Sequence, residues 1–178
     1  MTRLFDVSPL VAGFMIATES VAWTFAALAV ARATPEQEPR LIRVGAVLVT
    51  AGIVVLAMTM PRGPVAALVP GGILQGAGFG ISWAFLLRRI VAGVAEGERE
   101  RASAAMPTLQ MIGYAIGAAA SGVVANALGL TESAPADVAR LVGFWVFAAF
   151  LPLAFVGVAA AFRIARDPRH SPLPAGSR

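Results

Sequence analysis

Residues 44–61 read VGAVLVTAGIVVLAMTMP, eighteen positions without a charge, closed by Arg43 on one side and Arg62 on the other. A transmembrane helix needs about 20 mostly apolar residues to cross the hydrocarbon core of a bilayer. The stretch is long enough to cross, and it lacks the period-2 alternation of an outer-membrane strand. Working outward, the charge-free gaps repeat. Val7 to Ala31 is 25 residues interrupted only by Glu19, Gly63 to Leu87 has 25, Ala102 to Thr131 has 30 and Leu141 to Phe162 has 22. The expected fold is all-α: a polytopic bundle of five transmembrane helices over about 7–31, 44–61, 64–88, 102–130 and 140–163, with a disordered tail over 167–178.

Composition agrees. Of 178 residues, 58% are hydrophobic, 18 more are Gly and only 13% are charged. Soluble domains hold about 45–50% apolar residues with Gly included and about 25% charged ones, so this composition cannot cover a water-soluble surface. Without Cys, and with His170 the only His, there is no basis for disulfides, thiolate metal sites or His-based catalysis, and no cofactor is expected. The net charge of +4 comes from arginines spread between apolar blocks, which form no basic face for nucleic acid.

Local signals mark the ends of the blocks. Ser8-Pro9 offers an N-cap followed by Pro at the first helical position. The segment Thr34 to Pro39 is expected to be a non-helical connection, and Pro61-Arg62-Gly63-Pro64 a tight turn. Glu96 to Arg101 is a charged link, and Pro135 precedes the fifth block. Pro70, Pro107 and Pro152 lie within or near spans as candidate kinks.

The arginines alternate between flanks. Arg32, Arg40 and Arg43, then Arg88, Arg89, Arg99 and Arg101, then Arg163, Arg166, Arg169 and Arg178 fall on one side; Arg3, Arg62 and Arg140 fall on the other. Under the positive-inside rule this predicts a multi-pass protein of the cytoplasmic membrane, N-terminus outside and C-terminus in the cytoplasm. Ala29-Val30-Ala31 also has the form of a signal-peptide cleavage site, but an h-region of 7 to 15 residues carries no central Glu. A first helix inserted N-out reads more naturally as the middle of a longer protein.

Several patterns resemble the major facilitator superfamily of secondary transporters, in particular helices eight to twelve of its twelve. They are Ser8-Pro9-Leu10-Val11-Ala12-Gly13 with Trp23-Thr24 and Ala31-Arg32, then Arg40 to Gly45, then the glycine-rich run Gly72 to Gly80. Glu98 to Ala105, followed by Gly113, Gly117 and Gly122, completes the series. The resemblance covers about residues 7–165. One departure is that Ala33 to Pro39 has neither the Gly nor the Asp common in the family's cytoplasmic loop. The resemblance implies a C-terminal portion of a transporter, with the remaining N-terminal helices in the same or another chain.

Transporters of this kind hold substrate near the bilayer midplane between helical repeats. Glu19, the thirteenth residue of its block, sits at that depth, where a bare charge costs at least about 2.5–3.5 kcal/mol. It is a candidate proton- or cation-binding acid. The bland alternatives are interhelical glue and a lipid-facing side chain. Trp23 follows one turn on. Gln75, Phe79, Ser82 and Trp83 form one stripe of the third span, and Gln110 and Tyr114 are a turn apart in the fourth. These polar and aromatic groups are candidates to line a substrate cavity, with packing or interfacial anchoring as the competing role. Gly72, Gly76 and Gly80, and Gly113, Gly117 and Ser121, repeat every four residues as small-residue stripes for close helix packing. Arg88, Arg89, Arg99 and Arg101 are read as topology and lipid-headgroup residues, or as gate salt-bridge partners.

The leading functional expectation is a proton-coupled transporter of a small organic molecule, or its C-terminal portion. The alternative is a stand-alone five-helix accessory subunit of another membrane protein. An enzyme is not expected, because Ser82 and Ser121 have no His or Lys partner in the membrane and Glu19 is the only acid at depth.

Overall fold

The structure is a computed structural model and describes residues 8–62, 64–131 and 134–166. The expected tail at 167–178 and the residues ahead of Ser8 lie outside the described residues. Among the described residues six α-helices follow in order: α1 Pro9–Ala29, α2 Glu38–Thr59, α3 Val69–Ala92, α4 Arg99–Ala127, α5 Ala136–Ala148 and α6 Leu151–Ile164. Short 3-10 turns, Val65–Leu68 and Glu96–Glu98, precede α3 and α4. Among the described residues there is no strand. Glu38–Thr59, Val65–Ala92, Glu96–Ala127 and Ala136–Ile164 are each long and apolar enough to cross a bilayer, and α1 adds the shorter apolar segment Gly13–Ala29. The chain is an all-helical, multi-pass membrane bundle.

The helix ends follow from orphan backbone groups. Ser8 caps α1 by accepting the Val11 N–H at 3.3 Å. The connection expected over Thr34 to Pro39 is shorter than its prolines implied, because α2 starts at Glu38 with Pro39 in its first turn. Proline is at home there, since the first N–H groups of a helix have no intrahelical acceptor. Pro70 likewise starts α3 and does not kink it. Pro107 lies inside α4, which runs on through it. Pro152 falls in the first turn of α6, where its missing N–H accompanies the break between α5 and α6 at Ala149 and Phe150. Gly129, at φ 78°, closes α4: its N–H donates to the Asn126 carbonyl and that of Leu130 to the Ala125 carbonyl, both at 3.0 Å. That left-handed position suits glycine.

The centre of the bundle is α3, packed between α1 and α2, and α2 in turn carries α5 and α6. The pairing of Glu19 with Gly76 and of Trp23 with Gly80 makes α1 parallel to α3; that of Gly45 with Gly78 and of Gly52 with Gly71 makes α2 antiparallel. At one end Ile42, Phe85 and Ala161 pack with Val30, Ala33 and Leu41; at the other, Leu56, Met60 and Leu68 meet Met15 and Phe147. By this alternation Arg32, Arg40, Arg43, Arg88, Arg89 and Arg163 gather at the first end, and Arg62 and Arg140 at the second.

Lipid offers no hydrogen bonds, so hydroxyls within the helices must find acceptors in the protein. Thr18, Thr24, Thr50, Thr59, Ser82 and Ser121 each donate to the carbonyl four residues earlier, at 2.7–3.0 Å. The outer faces are apolar. Phe14 and Phe25 of α1, Met111 and Ile116 of α4 and Leu153 and Val156 of α6 are all more than half exposed, and α4 buries none of its residues. Such surface belongs against acyl chains or further helices.

Candidate functional site

The seam between α1 and α3 is built on two glycines. A Cβ on Gly76 would run into the Glu19 carbonyl, and one on Gly80 into the Trp23 carbonyl and the Ala26 side chain. Because each pair is a single turn apart on its own helix, the two backbones meet in register over that turn. In lipid no hydrophobic drive brings helices together, so this close approach supplies the attraction through dispersion contact. It also places the Trp23 ring on that of Phe79, stacked with centroids 5.4 Å apart and planes 14° apart. Glu19, the eleventh of the 21 residues of α1, is half-buried one turn before Trp23, at the helix midpoint. Among the described residues no side chain pairs with its carboxylate.

The other predicted residues separate onto different faces. Gln75 abuts Gly52 of α2, and Ser82 lies over Gly45. Trp83, with Phe79, Ser82, Thr50 and Phe150, lines an apolar cavity of about 520 Å³ between α2, α3 and α6. Three of the four α3 stripe residues, Phe79, Ser82 and Trp83, thus share one cavity, Phe79 also reaches the α1 seam, and Gln75 packs against α2. On α4 the Gln110 amide donates to the Tyr114 hydroxyl at 2.8 Å, and Tyr114 is 57% exposed. A Cβ at Gly72, Gly113 or Gly117 would meet nothing within 4 Å, and Ser121 bonds only the Gly117 carbonyl of its own helix.

Two features lie outside the sequence-derived set. The first is a second glycine face: a Cβ on Gly45 would strike Ser82 and the Gly78 carbonyl, and one on Gly52 the Gln75 N–H and the Gly71 carbonyl. Gly45 and Gly52, like Gly71 and Gly78, are seven residues apart, the spacing that returns to one face of a crossing helix. That repeat was the available signal. The second is ionic. Glu38 is 6% exposed and lies 3.0 Å from the Arg88 guanidinium and 3.9 Å from Nε of Arg89. Arg89, itself 6% exposed, also donates from Nη1 to the Ile164 carbonyl at 2.9 Å, tying together the ends of α2, α3 and α6. Two of the four arginines read as headgroup or gate residues, Arg88 and Arg89, thus find their partner within the chain.

Among the described residues no group of acids or His is placed to hold a metal. The fold defines a class: a multi-pass helical membrane protein. Two curated proteins of Mycobacterium tuberculosis, from strains CDC 1551 / Oshkosh and ATCC 25618 / H37Rv, are similar to the chain; each is described as a probable multidrug-efflux transporter. Each is 32% identical over 176 residues, which cover 96% of this chain and 36% of the relative. The chain thus spans about a third of the length of these relatives. No protein-family profile and no solved structure matches it.

Proposed function

We propose that the chain forms the C-terminal portion of a major-facilitator-type secondary transporter that exports small organic molecules across the cytoplasmic membrane. The observation that carries this reading is the similarity along 96% of the chain to probable multidrug-efflux transporters. The α1–α3 seam supplies a matching chemistry. Glu19 takes up a proton or an organic cation at mid-depth, and the Trp23–Phe79 stack offers flat apolar surface beside it. In this reading Gln110 and Tyr114, on the open face of α4, line the path from the other side. Gly113 and Gly117 let a further helix approach, and the arginine-rich end faces the cytoplasm.

The test is efflux and growth across a panel of toxic compounds in cells carrying the complete gene or its Glu19→Gln form. Compound-specific efflux driven by the proton gradient and lost in Glu19→Gln is the expected result. Unchanged efflux in Glu19→Gln removes this residue from the mechanism. No efflux of any compound, together with one stoichiometric membrane partner on purification, would replace the proposal with an accessory subunit.

A further inference from the structure

At the arginine-rich end the arginines fall into two groups. Arg88 and Arg89 are engaged by Glu38, Arg89 also by the Ile164 carbonyl. Arg43 donates to the Pro39 carbonyl and lies 5.8 Å from the centre of the Phe162 ring. Arg32 and Arg40 have no acidic partner among the described residues. Both line a separate cavity of about 450 Å³ where α1 passes into α2. Of the acids of that connection, Glu38 is buried against Arg88 and Arg89, and the exposed Glu36 makes no ion pair with Arg32 or Arg40. Gln37 also lines the cavity; its Oε1 accepts the Thr34 N–H at 3.0 Å, which leaves its amide hydrogens as donors. The remaining wall is apolar, with Ala33, Leu41 and Val44 among its residues. Leu41 and Val44 lead along α2 from the charged rim toward the hydrocarbon, and Val44 is exposed.

Two guanidiniums without an ion-pair partner among the described residues, above an apolar wall at the end of a membrane bundle, form an amphipathic anion site. We propose that this cavity seats one anionic glycerophospholipid, its phosphate between Arg32 and Arg40 and an acyl chain along Leu41 and Val44. Charge complementarity selects an anion and the apolar wall selects a lipid over a free phosphate. The volume lies within the range of small-molecule sites. The assignment rests on the membrane bundle alone and is independent of transport.

The test is native mass spectrometry of the full 178-residue chain released from micelles doped with phosphatidylglycerol or phosphatidylcholine. One phosphatidylglycerol retained in preference to phosphatidylcholine is expected, and millimolar inorganic phosphate should not displace it. Arg32→Gln and Arg40→Gln should each weaken retention about fivefold and the double variant about thirtyfold, the scale of basic groups at an anionic surface. Arg62→Gln, at the opposite end, should leave it unchanged. Tryptophan fluorescence on heating verifies that each variant is folded, and Arg32→Lys with Arg40→Lys, which keeps both charges, should retain most of the binding. Equal retention of the two lipids, wild-type retention in a folded double Gln variant, or displacement by inorganic phosphate would each overturn the assignment, the last in favour of a free-phosphate site.

Discussion

Gly76 of α3 lies against the backbone carbonyl of Glu19 in α1, closer than any side chain would permit. The backbone of Glu19, at the midpoint of α1, is thus held at a fixed place by the absence of an atom on the neighbouring helix. Gly76→Val should therefore separate α1 from α3 and destabilise the bundle by about 1–3 kcal/mol, the range for overpacking. Gly72→Ala, four residues earlier with open space at its Cβ, should be neutral or stabilising by up to about 1 kcal/mol, because Ala favours helix over Gly. Denaturant titration in mild detergent, followed by tryptophan fluorescence, compares the two. Equal effects would contradict the packing.

The Trp23 and Phe79 rings should be energetically coupled. A double-mutant cycle with Trp23→Leu and Phe79→Leu is expected to give about 0.5–1.5 kcal/mol beyond the sum of the single changes, the usual value of a stacked aromatic pair. Strict additivity would mean that the rings lie close without a specific interaction.

The ionic cluster predicts an asymmetry between its members. Glu38→Gln leaves the buried Arg89 guanidinium without an anion and should cost about 3 kcal/mol. Arg88→Gln removes a pair whose arginine side chain is 57% exposed, and should cost at most about 1 kcal/mol. Thermal unfolding of the two variants, measured side by side, decides whether burial sets the ranking.

The face of α3 toward α2 should be as intolerant as its face toward α1. Gly78→Leu would drive a side chain into the Gly45 carbonyl and Val49, and Gly45→Leu into Ser82. Each is expected to abolish accumulation of folded protein, read as loss of the monodisperse peak on size-exclusion chromatography. Gly113→Leu, on the open face of α4, should leave that peak intact.

Part of the seam was legible because a helix repeats every 3.6 residues. Glu19 and Trp23 had to share a face, as did Gly76 and Gly80, and aromatic Phe79 adjoined the latter pair. The same rule grouped Gln75, Phe79, Ser82 and Trp83 on α3; Phe79, Ser82 and Trp83 line one cavity toward α2 and α6, whereas Gln75 packs against Gly52 of α2. A helix with neighbours on several sides divides its residues among them, and periodicity alone does not say where one contact ends. Glu38 was misplaced for a related reason. Beside Pro39 it read as part of a loop, whereas proline is accepted in a first helical turn and the acid there lies buried against Arg89.

By itself the sequence determined the medium and the architecture. Charge-free blocks long enough to cross a bilayer admit only helices, since lipid cannot satisfy exposed backbone groups. The alternating arginines determined which helix ends lie together. Only the tertiary structure decided which small residues meet. Gly45, Gly52, Gly71 and Gly78 join α2 to α3, Gly76 and Gly80 join α1 to α3, and among the described residues a Cβ on Gly72, Gly113 or Gly117 would meet nothing within 4 Å. In lipid, helices associate by shape at close range, and that complementarity exists only between two surfaces once both are placed.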